Sequence, residues 1–205
     1  LQINSCENTP LNVHNNTFTG NYRGLYISNC PYASLTHNTI TNNTYLGAQL
    51  SGNSDATFAN NVVSANGNHG AYLYSGNHNL SFHHNTSTSN ANSGVFFYYY
   101  YNQYNHNPHF YANTISDNVD DGIQFARGSN QLVENNIIAR NGSNGLNWNY
   151  DGSASLRHNT IADNTEAGIR TNSASLVLTN TIIANHTYGI LTTSTSANVS
   201  ADHTL

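Results

Sequence analysis

Apolar residues recur at alternate positions in short stretches along the whole chain. Each repeat of the sequence contains a glycine that is followed by two apolar positions with one other residue between them, as in Leu25 and Ile27. Such short alternation predicts β-strands with one buried face, and no segment has a helical period. Two more predicted inward columns flank an asparagine: Val13, Leu35, Phe58, Phe82, Phe110, Val133, Leu156 and Val177 before it, and Phe18, Ile40, Val63, Ser87, Ile115, Ile138, Ile161 and Ile182 after it.

Three columns of identical residues accompany these strands. Two asparagines, five residues apart, and one glycine recur eight times at intervals of 21 to 28 residues. If successive coils stack about 4.8 Å apart, their short strands share one continuous core. Asparagine can then bond to its copies above and below while tolerating left-handed backbone angles, and glycine suits a bend without room for a Cβ atom. The columns are Asn16, Asn38, Asn61, Asn85, Asn113, Asn136, Asn159 and Asn180; Asn21, Asn43, Asn66, Asn90, Asn118, Asn141, Asn164 and Asn185; and Gly24, Gly47, Gly70, Gly94, Gly122, Gly145, Gly168 and Gly189.

Coils that read roughly "NTI..N...GI......VI." resemble the right-handed parallel β-helix repeat family, in the pectate-lyase-like superfamily. The resemblance implies an all-β fold, a right-handed parallel β-helix (β-solenoid) of about eight coils of 21–28 residues. Members of this family are typically extracellular or periplasmic, and many act on or bind polysaccharides. The resemblance therefore implies the same location for this chain. We expect one domain over residues 1–205, either uncapped or part of a longer chain.

Composition narrows the classes of partner. Charged residues make up 7% of the chain, lysine is absent, and the formal net charge is −5. A partner held by phosphate neutralisation, such as a nucleic acid, is therefore not expected. No apolar run is long enough for a membrane span, and the polar, uncharged composition favours the cell exterior or cell surface. Low charge also suits subunits that stack end to end, so other copies of the chain are expected partners.

The two cysteines are 24 residues apart, one coil plus about two residues. That spacing could bring their Cα atoms within the roughly 4.4 to 6.8 Å that a disulfide needs. We therefore expect Cys6 and Cys30 to form a disulfide, the alternative being two buried thiols in a reduced protein.

Aromatic residues occupy outward positions two and four residues after several of the column glycines. Stacked at coil spacing they form an exposed strip suited to glycan stacking or to assembly. The alternative is a bulged loop that packs its tyrosines against its own coil. The candidate contact residues are Tyr26, Tyr72, Tyr74, Phe96, Tyr98, Tyr99, Tyr100, Tyr101 and Tyr104.

Two motifs offer catalytic candidates. Asp120 and Asp121 in "VDDGI" resemble the paired aspartates of polygalacturonases, where one carboxylic acid protonates the leaving group and others activate water. Of the Gly-His-Gly and Arg-Ile-Lys motifs expected on the next two coils, only Arg170 is matched.

"YNHNPH" is similar to the Tyr-x-x-Asp-Pro-His motif of mannuronan epimerases, which implies Tyr104 and His109 as acid and base, although Asn107 replaces the aspartate. His106 and His109 could bind a metal, but no third ligand is evident, so neither a metal nor a cofactor is expected.

These observations lead to three hypotheses. The first is a non-enzymatic structural or adhesive module that assembles end to end or contacts glycans through the tyrosine strip. The second is a polysaccharide-active lyase, hydrolase or epimerase that uses the candidates above. The third is an ice-binding solenoid, because outward threonines form a ladder over the first five coils, as in Thr17 and Thr39.

Overall fold

The computed structural model describes residues 1–6, 9–98 and 105–205, and it confirms the predicted fold class. Its strands form three parallel sheets that stack as a solenoid of about eight turns. Within these residues, every strand pairs with the equivalent strand of the preceding or following coil, and no helix occurs. A helix able to cross a membrane is likewise absent from the described part of the chain.

The strands are short and fall into the three sheets in rotation. Sheet A contains β1 (Gln2–Ile3), β4 (Arg23–Ser28), β7 (Leu46–Ser51), β10 (Ala71–Tyr74), β13 (Val95–Tyr98), β16 (Ile123–Phe125), β19 (Leu146–Trp148), β22 (Ala167–Thr171) and β25 (Tyr188–Thr192). Sheet B contains β2 (Asn12–His14), β5 (Ser34–Thr36), β8 (Thr57–Ala59), β11 (Ser81–His83), β14 (His109–Tyr111), β17 (Gly128–Glu134), β20 (Gly152–Arg157), β23 (Ser175–Thr179) and β26 (Asn198–Asp202). Sheet C contains β3 (Thr17–Thr19), β6 (Thr39–Thr41), β9 (Val62–Ser64), β12 (Thr86–Thr88), β15 (Thr114–Ser116), β18 (Ile137–Ala139), β21 (Thr160–Ala162) and β24 (Ile182–Ala184).

The core lies inside the solenoid and is built from equivalent positions in successive coils. The rings of Phe58 and Phe82 stack with centroids 5.1 Å apart, and those of Phe125 and Trp148 with centroids 4.5 Å apart. The indole Nε1 of Trp148 donates to the side-chain oxygen of Gln131 at 2.7 Å, so the largest buried ring also satisfies its polar atom. Continuous burial of apolar side chains holds together strands that are too short to be stable alone.

The asparagine columns form two buried ladders. Asn118 shows the pattern: its Oδ1 accepts from the backbone N–H and the Nδ2 of Asn90, at 3.1 and 2.9 Å. Its own Nδ2 donates to the backbone oxygen of Ser87 and to Oδ1 of Asn141. Each such amide therefore satisfies two backbone groups of the preceding coil and bonds to the amide of the following coil.

Backbone angles correct one detail of the sequence interpretation. Left-handed φ angles occur at the residue before a ladder asparagine, as in His37 (φ 57°), rather than at the asparagine itself.

Most column glycines are needed for space and not for a bend. A Cβ atom on Gly47 would lie 2.5 Å from the carbonyl oxygen of Gly70 and 2.7 Å from Nδ2 of Asn66.

The last coil corrects the predicted register by one residue. Leu178 pairs with Leu156 and is buried, whereas Val177, predicted to face inward, is exposed. On sheet C, Ile183 takes the inward position and Ile182 is exposed. Thr181 and His186 therefore occupy the ladder positions assigned to Asn180 and Asn185, because a slip of one residue turns every side chain to the other face.

In the structure Cys6 and Cys30 form a disulfide bond, with their Cα atoms 4.8 Å apart. The backbone N–H of Cys30 donates to Oδ1 of Asn53 at 2.8 Å. Asn53 begins a third ladder, which continues through Asn77 to Asn105 and which the sequence pattern did not reveal.

Candidate functional site

The outer face of sheet A is the most distinctive surface of the molecule. Backbone register places one side chain from each of seven consecutive coils in a single line, because alternate residues of a strand point to opposite faces. This outer column, as we call it, is aromatic or amide in its first half and polar in its second half. It consists of Tyr26, Gln49, Tyr72, Phe96, Gln124, Asn147 and Arg170.

The first half of this face carries the described part of the predicted aromatic strip. Tyr72 and Phe96 have ring centroids 5.5 Å apart, and Tyr74 and Tyr98 stack in parallel at 5.7 Å. These rings are half-buried against one another across coils, leaving their outer faces accessible. Tyr26 lies earlier on the same face, whereas Tyr99, Tyr100, Tyr101 and Tyr104 lie outside the described residues.

A cavity of about 350 Å³ opens into this aromatic surface. Four consecutive coils build it from the position directly before the column glycine, from the outer column and from adjacent aromatic residues. Its lining residues are Arg23, Tyr45, Leu46, Gln49, His69, Tyr72, Tyr74 and Phe96. We call it the Arg23–His69 cavity.

His69 is the most buried polar residue of the cavity. Its ring lies 4.8 Å from the ring of Phe96 and 5.9 Å from that of Tyr72, centroid to centroid, and the residue is 9% exposed. Its Nδ1 atom has no hydrogen-bond partner among the described residues. Burial lowers the pKa of His69 to about 4, so the imidazole is neutral and able to accept a proton at physiological pH.

Arg23 and Gln49 each add a buried polar atom to the same cavity. The guanidinium carbon of Arg23 lies 5.5 Å from the ring centroid of Tyr26 and 5.6 Å from that of Tyr22. Neither Nε of Arg23 nor Oε1 of Gln49 is hydrogen-bonded within the described part of the chain. A buried polar atom without a partner costs about 1 to 3 kcal/mol, and three around one cavity indicate a place for a polar ligand.

Tyr72 supplies a hydroxyl group beside the imidazole. Burial raises the pKa of Tyr72, and the neighbouring hydroxyl groups of Tyr98 and Tyr74 raise it further. The phenol therefore remains protonated over the physiological range and can donate a proton or a hydrogen bond.

The second half of the face contains Asp120, Asp121 and Arg170. Asp121 is buried, and its Oδ1 accepts from the backbone N–H and Nδ2 of Asn144, at 3.0 and 2.8 Å. Its Oδ2 accepts from Nδ2 of Asn147 at 2.7 Å. Both oxygens are thus engaged, which favours a positioning role for Asp121 over exchange of a proton with substrate.

Asp120, beside it in the chain, is only partly buried. Burial raises its pKa, and the charge of Asp121 raises it further. The two carboxyl groups therefore have different environments. Neither of them lines the Arg23–His69 cavity.

His109 lies elsewhere, on the outer face of sheet B. Its ring packs 4.4 Å from that of Tyr111, centroid to centroid. Its Nε2 is 3.4 Å from Oε2 of Glu134, close enough for attraction but not aligned as a hydrogen bond. The structure therefore does not bring His109 together with Asp120, Asp121 and Arg170, and Tyr104 lies outside the described residues. The described part of the chain contains no group of three histidine, cysteine or acidic side chains able to hold a metal ion.

The threonine ladder is visible on the outer face of sheet C but is not continuous. Thr17, Thr39 and Thr86 lie in one register column with Val62, which is 42% exposed, and further along with Ile137. No further feature of the described residues favours ice binding, which stays a prediction.

Sequence reasoning missed Arg23, Gln49 and His69 as site residues. No motif contains them, since each comes from a different coil. One signal was available: Arg23, Leu46 and His69 all stand directly before a column glycine, in the same column as Asp121. Reading that column together with the outer column identifies most of the cavity lining.

Comparison with known proteins gives a family and a set of similar folds. The family model "Right handed beta helix region" matches residues 2–107 and 99–204. None of the curated proteins compared with the chain matches it in sequence.

Similar solved structures are polysaccharide enzymes by name. A mutant of the periplasmic alginate epimerase AlgG has a TM-score of 0.86 at 18% identity, covering 94% of this chain and 49% of that one. The A-module of the Azotobacter vinelandii mannuronan C-5 epimerase AlgE4 has a TM-score of 0.75 at 18% identity, covering 92% and 56%. Pectate lyase Pel9A has a TM-score of 0.71 at 15% identity, covering 97% and 64%. Such identities show a shared fold alone, and the chain spans about half the length of AlgG.

Proposed function

The chain belongs to the right-handed β-helix family, and from that premise we propose that it is an enzyme acting on an acidic polysaccharide in the Arg23–His69 cavity. The proposed reaction begins with removal of the proton on the sugar carbon next to a uronate carboxylate. The observation that carries the proposal is the convergence of three unpartnered buried polar atoms, from Arg23, Gln49 and His69, on one aromatic cavity.

Each cavity residue suits one task in such a reaction. The Arg23 guanidinium pairs with the sugar carboxylate and stabilises the negative charge that develops when the adjacent carbon loses its proton. Neutral His69 accepts that proton, and the protonated hydroxyl of Tyr72 can return one. The faces of Tyr72 and Phe96 offer apolar surface to the sugar ring.

After the first proton transfer, two outcomes are possible without any further reagent. If Tyr72 donates a proton to the opposite face of the carbon, the sugar is epimerised, and the proton held by His69 then passes to the Tyr72 oxygen, which restores both groups. If instead the bond to the oxygen on the neighbouring carbon breaks, that oxygen takes the proton and a double bond remains, which is elimination. Both start from the same arrangement of base and carboxylate partner.

The comparisons support this class of substrate. Alginate, mannuronan and pectate, the polymers in the names of the similar structures, are all polyuronates. These similar structures favour the enzyme hypothesis over the non-enzymatic module that sequence analysis placed first. A secreted or periplasmic location fits the same proposal, because such polymers lie outside the cytoplasm.

The proposal is tested by incubating the purified chain with alginate, mannuronan and polygalacturonate. Elimination is followed by the ultraviolet absorbance of the new double bond, and epimerisation by proton NMR of the product. We expect turnover of at least one polymer and a loss of about 10²–10⁴-fold in His69→Gln. Arg157→Gln is the control, since Arg157 is exposed on sheet B. Absence of both binding and turnover, or full activity in His69→Gln, would overturn the proposal.

A further inference from the structure

Arg170 lies on the outer face of sheet A with one side of its guanidinium fixed. Its Nη1 donates to Oδ1 of Asn147 at 3.1 Å and to Oδ1 of Asn149 at 3.2 Å. No hydrogen bond within the described residues uses Nε or Nη2. Those two atoms form the edge that binds a carboxylate with two parallel hydrogen bonds, as Arg140 does with Asp117 on the same protein.

Buried groups hold this guanidinium in place. Asp121 accepts from Nδ2 of Asn147, which directs Oδ1 of the same amide toward Arg170. The series Asp121, Asn147 and Arg170 therefore runs from a buried carboxylate to a half-exposed cation. A guanidinium oriented in this way loses little side-chain entropy when it binds an anion.

Arg170 and Arg23 differ from the other arginines of the chain. Arg127 pairs with Asp151 and Arg140 pairs with Asp117, whereas Arg157 is exposed and its Nε donates to the hydroxyl oxygen of Ser155. Among the described residues, neither Arg23 nor Arg170 forms an ion pair with a carboxylate. Arg170 is the last member of the outer column, and the guanidinium of Arg23 lies over the ring of Tyr26, its first member.

The distance between the two sites matches an extended polymer. From Tyr72 at the Arg23–His69 cavity to Arg170 the register advances by four strands, through Phe96, Gln124 and Asn147. At about 4.8 Å per strand this is about 19 Å, the length of several sugar units. The surface between them is aromatic and then amide, which suits sugar faces and hydroxyl groups.

We infer that Arg170 is a distal carboxylate-binding subsite, and that a linear polyuronate lies along the solenoid axis between the cavity and Arg170. The inference rests on the proposed function. Asp120 and Glu166 lie on the same part of the face, with Glu166 accepting a hydrogen bond from Ser143. The subsite therefore takes one carboxylate at the fixed guanidinium edge and is not a broadly positive patch.

The test is the dependence of affinity on oligomer length, measured by calorimetry with oligouronates from disaccharide to octasaccharide. In the wild-type chain, affinity should rise once the oligomer reaches from the cavity to Arg170. Arg170→Gln should remove that gain, about tenfold or more, while leaving the affinity for the disaccharide unchanged. Arg170→Lys, which keeps the charge but not the two-pronged edge, should retain part of it, and Arg157→Gln should behave as wild type.

The outcomes separate this inference from the proposed function. If Arg23→Gln weakens disaccharide binding but Arg170→Gln leaves the length dependence intact, Arg170 only balances the buried charge of Asp121 and the subsite is wrong. If neither Arg23→Gln nor His69→Gln affects the disaccharide, the proposed function itself fails. Equal dependence on Arg170 for carboxyl-reduced oligomers would also overturn a carboxylate subsite.

Discussion

The imidazole of His69 lies 4.8 Å from the ring of Phe96, centroid to centroid, and its Nδ1 has no hydrogen-bond partner among the described residues. An aromatic wall and an unsatisfied buried nitrogen are a costly combination unless the cavity receives a polar ligand. The unsatisfied buried nitrogen distinguishes this cavity, as a binding site, from the other half-buried aromatic rings on sheet A.

The pH profile of activity should reflect the buried imidazole. The pKa of His69 is lowered to about 4, and a base is active only when deprotonated. We therefore expect kcat/KM of the free enzyme to stay level as pH falls below 6.5 and to decline only near pH 4. An acid limb near pH 6.5 would show that the base titrates like an exposed histidine.

The same group predicts how stability depends on pH. Because the folded-state pKa lies below the unfolded value of about 6.5, the unfolded chain binds more protons between pH 6.5 and pH 4. Stability should thus fall as pH falls through this window, by at most about 3 kcal/mol from this residue. Chemical denaturation of His69→Phe should show a smaller loss across the window than the wild type. An identical slope in both proteins would contradict the burial of His69.

Replacing a ladder asparagine should be costly only inside the stack. Asn118→Leu removes the acceptor for the backbone N–H of Asn90 and the donor to Ser87, so we expect a loss of about 1 to 3 kcal/mol in the free energy of unfolding. The control is Asn21→Leu, in the same column but exposed at the end of the ladder, which should cost less. Equal effects in urea denaturation would count against the ladder.

The sequence predicted the fold because its three columns repeat a physical requirement. Asn118 and its equivalents must bond across coils, and Gly47 has no space for a side chain, so both residue types recur at fixed intervals. The last coil was misaligned because Val177 and Leu178, like Ile182 and Ile183, are adjacent apolar residues. Either member of each pair fits an alternating pattern, and only burial in three dimensions selects one.

The site was harder to predict than the fold because it has no local motif. "VDDGI" identified Asp121 and the later coil identified Arg170, but their link through Asn147 depends on contacts between coils. Arg23 and His69 are separated by two coils in the chain, and their importance lies in the missing partners of buried atoms. Such an absence leaves no mark in a sequence, whereas a repeated turn does.

End-to-end assembly stays a prediction. Ile190, in the last strand of sheet A, pairs with buried Ile169 and is 37% exposed. Contact with another copy would bury such surface at about 25 cal/mol per Å². Sedimentation at rising concentration should then show growing oligomers, and Ile190→Asp should suppress them. A monomer at all concentrations would contradict assembly.

The most direct test of the central claim is exchange of the sugar proton with solvent at the Arg23–His69 cavity. The chain is incubated with a polyuronate in deuterated water, and deuterium on the carbon next to the carboxylate is measured by NMR and mass spectrometry. Proton removal by His69 predicts deuterium incorporation or, for elimination, loss of that proton, in the wild type and in Arg157→Gln but not in His69→Gln or Arg23→Gln. Equal exchange in all four proteins, or none in the wild type with every polyuronate that it binds, would contradict the account.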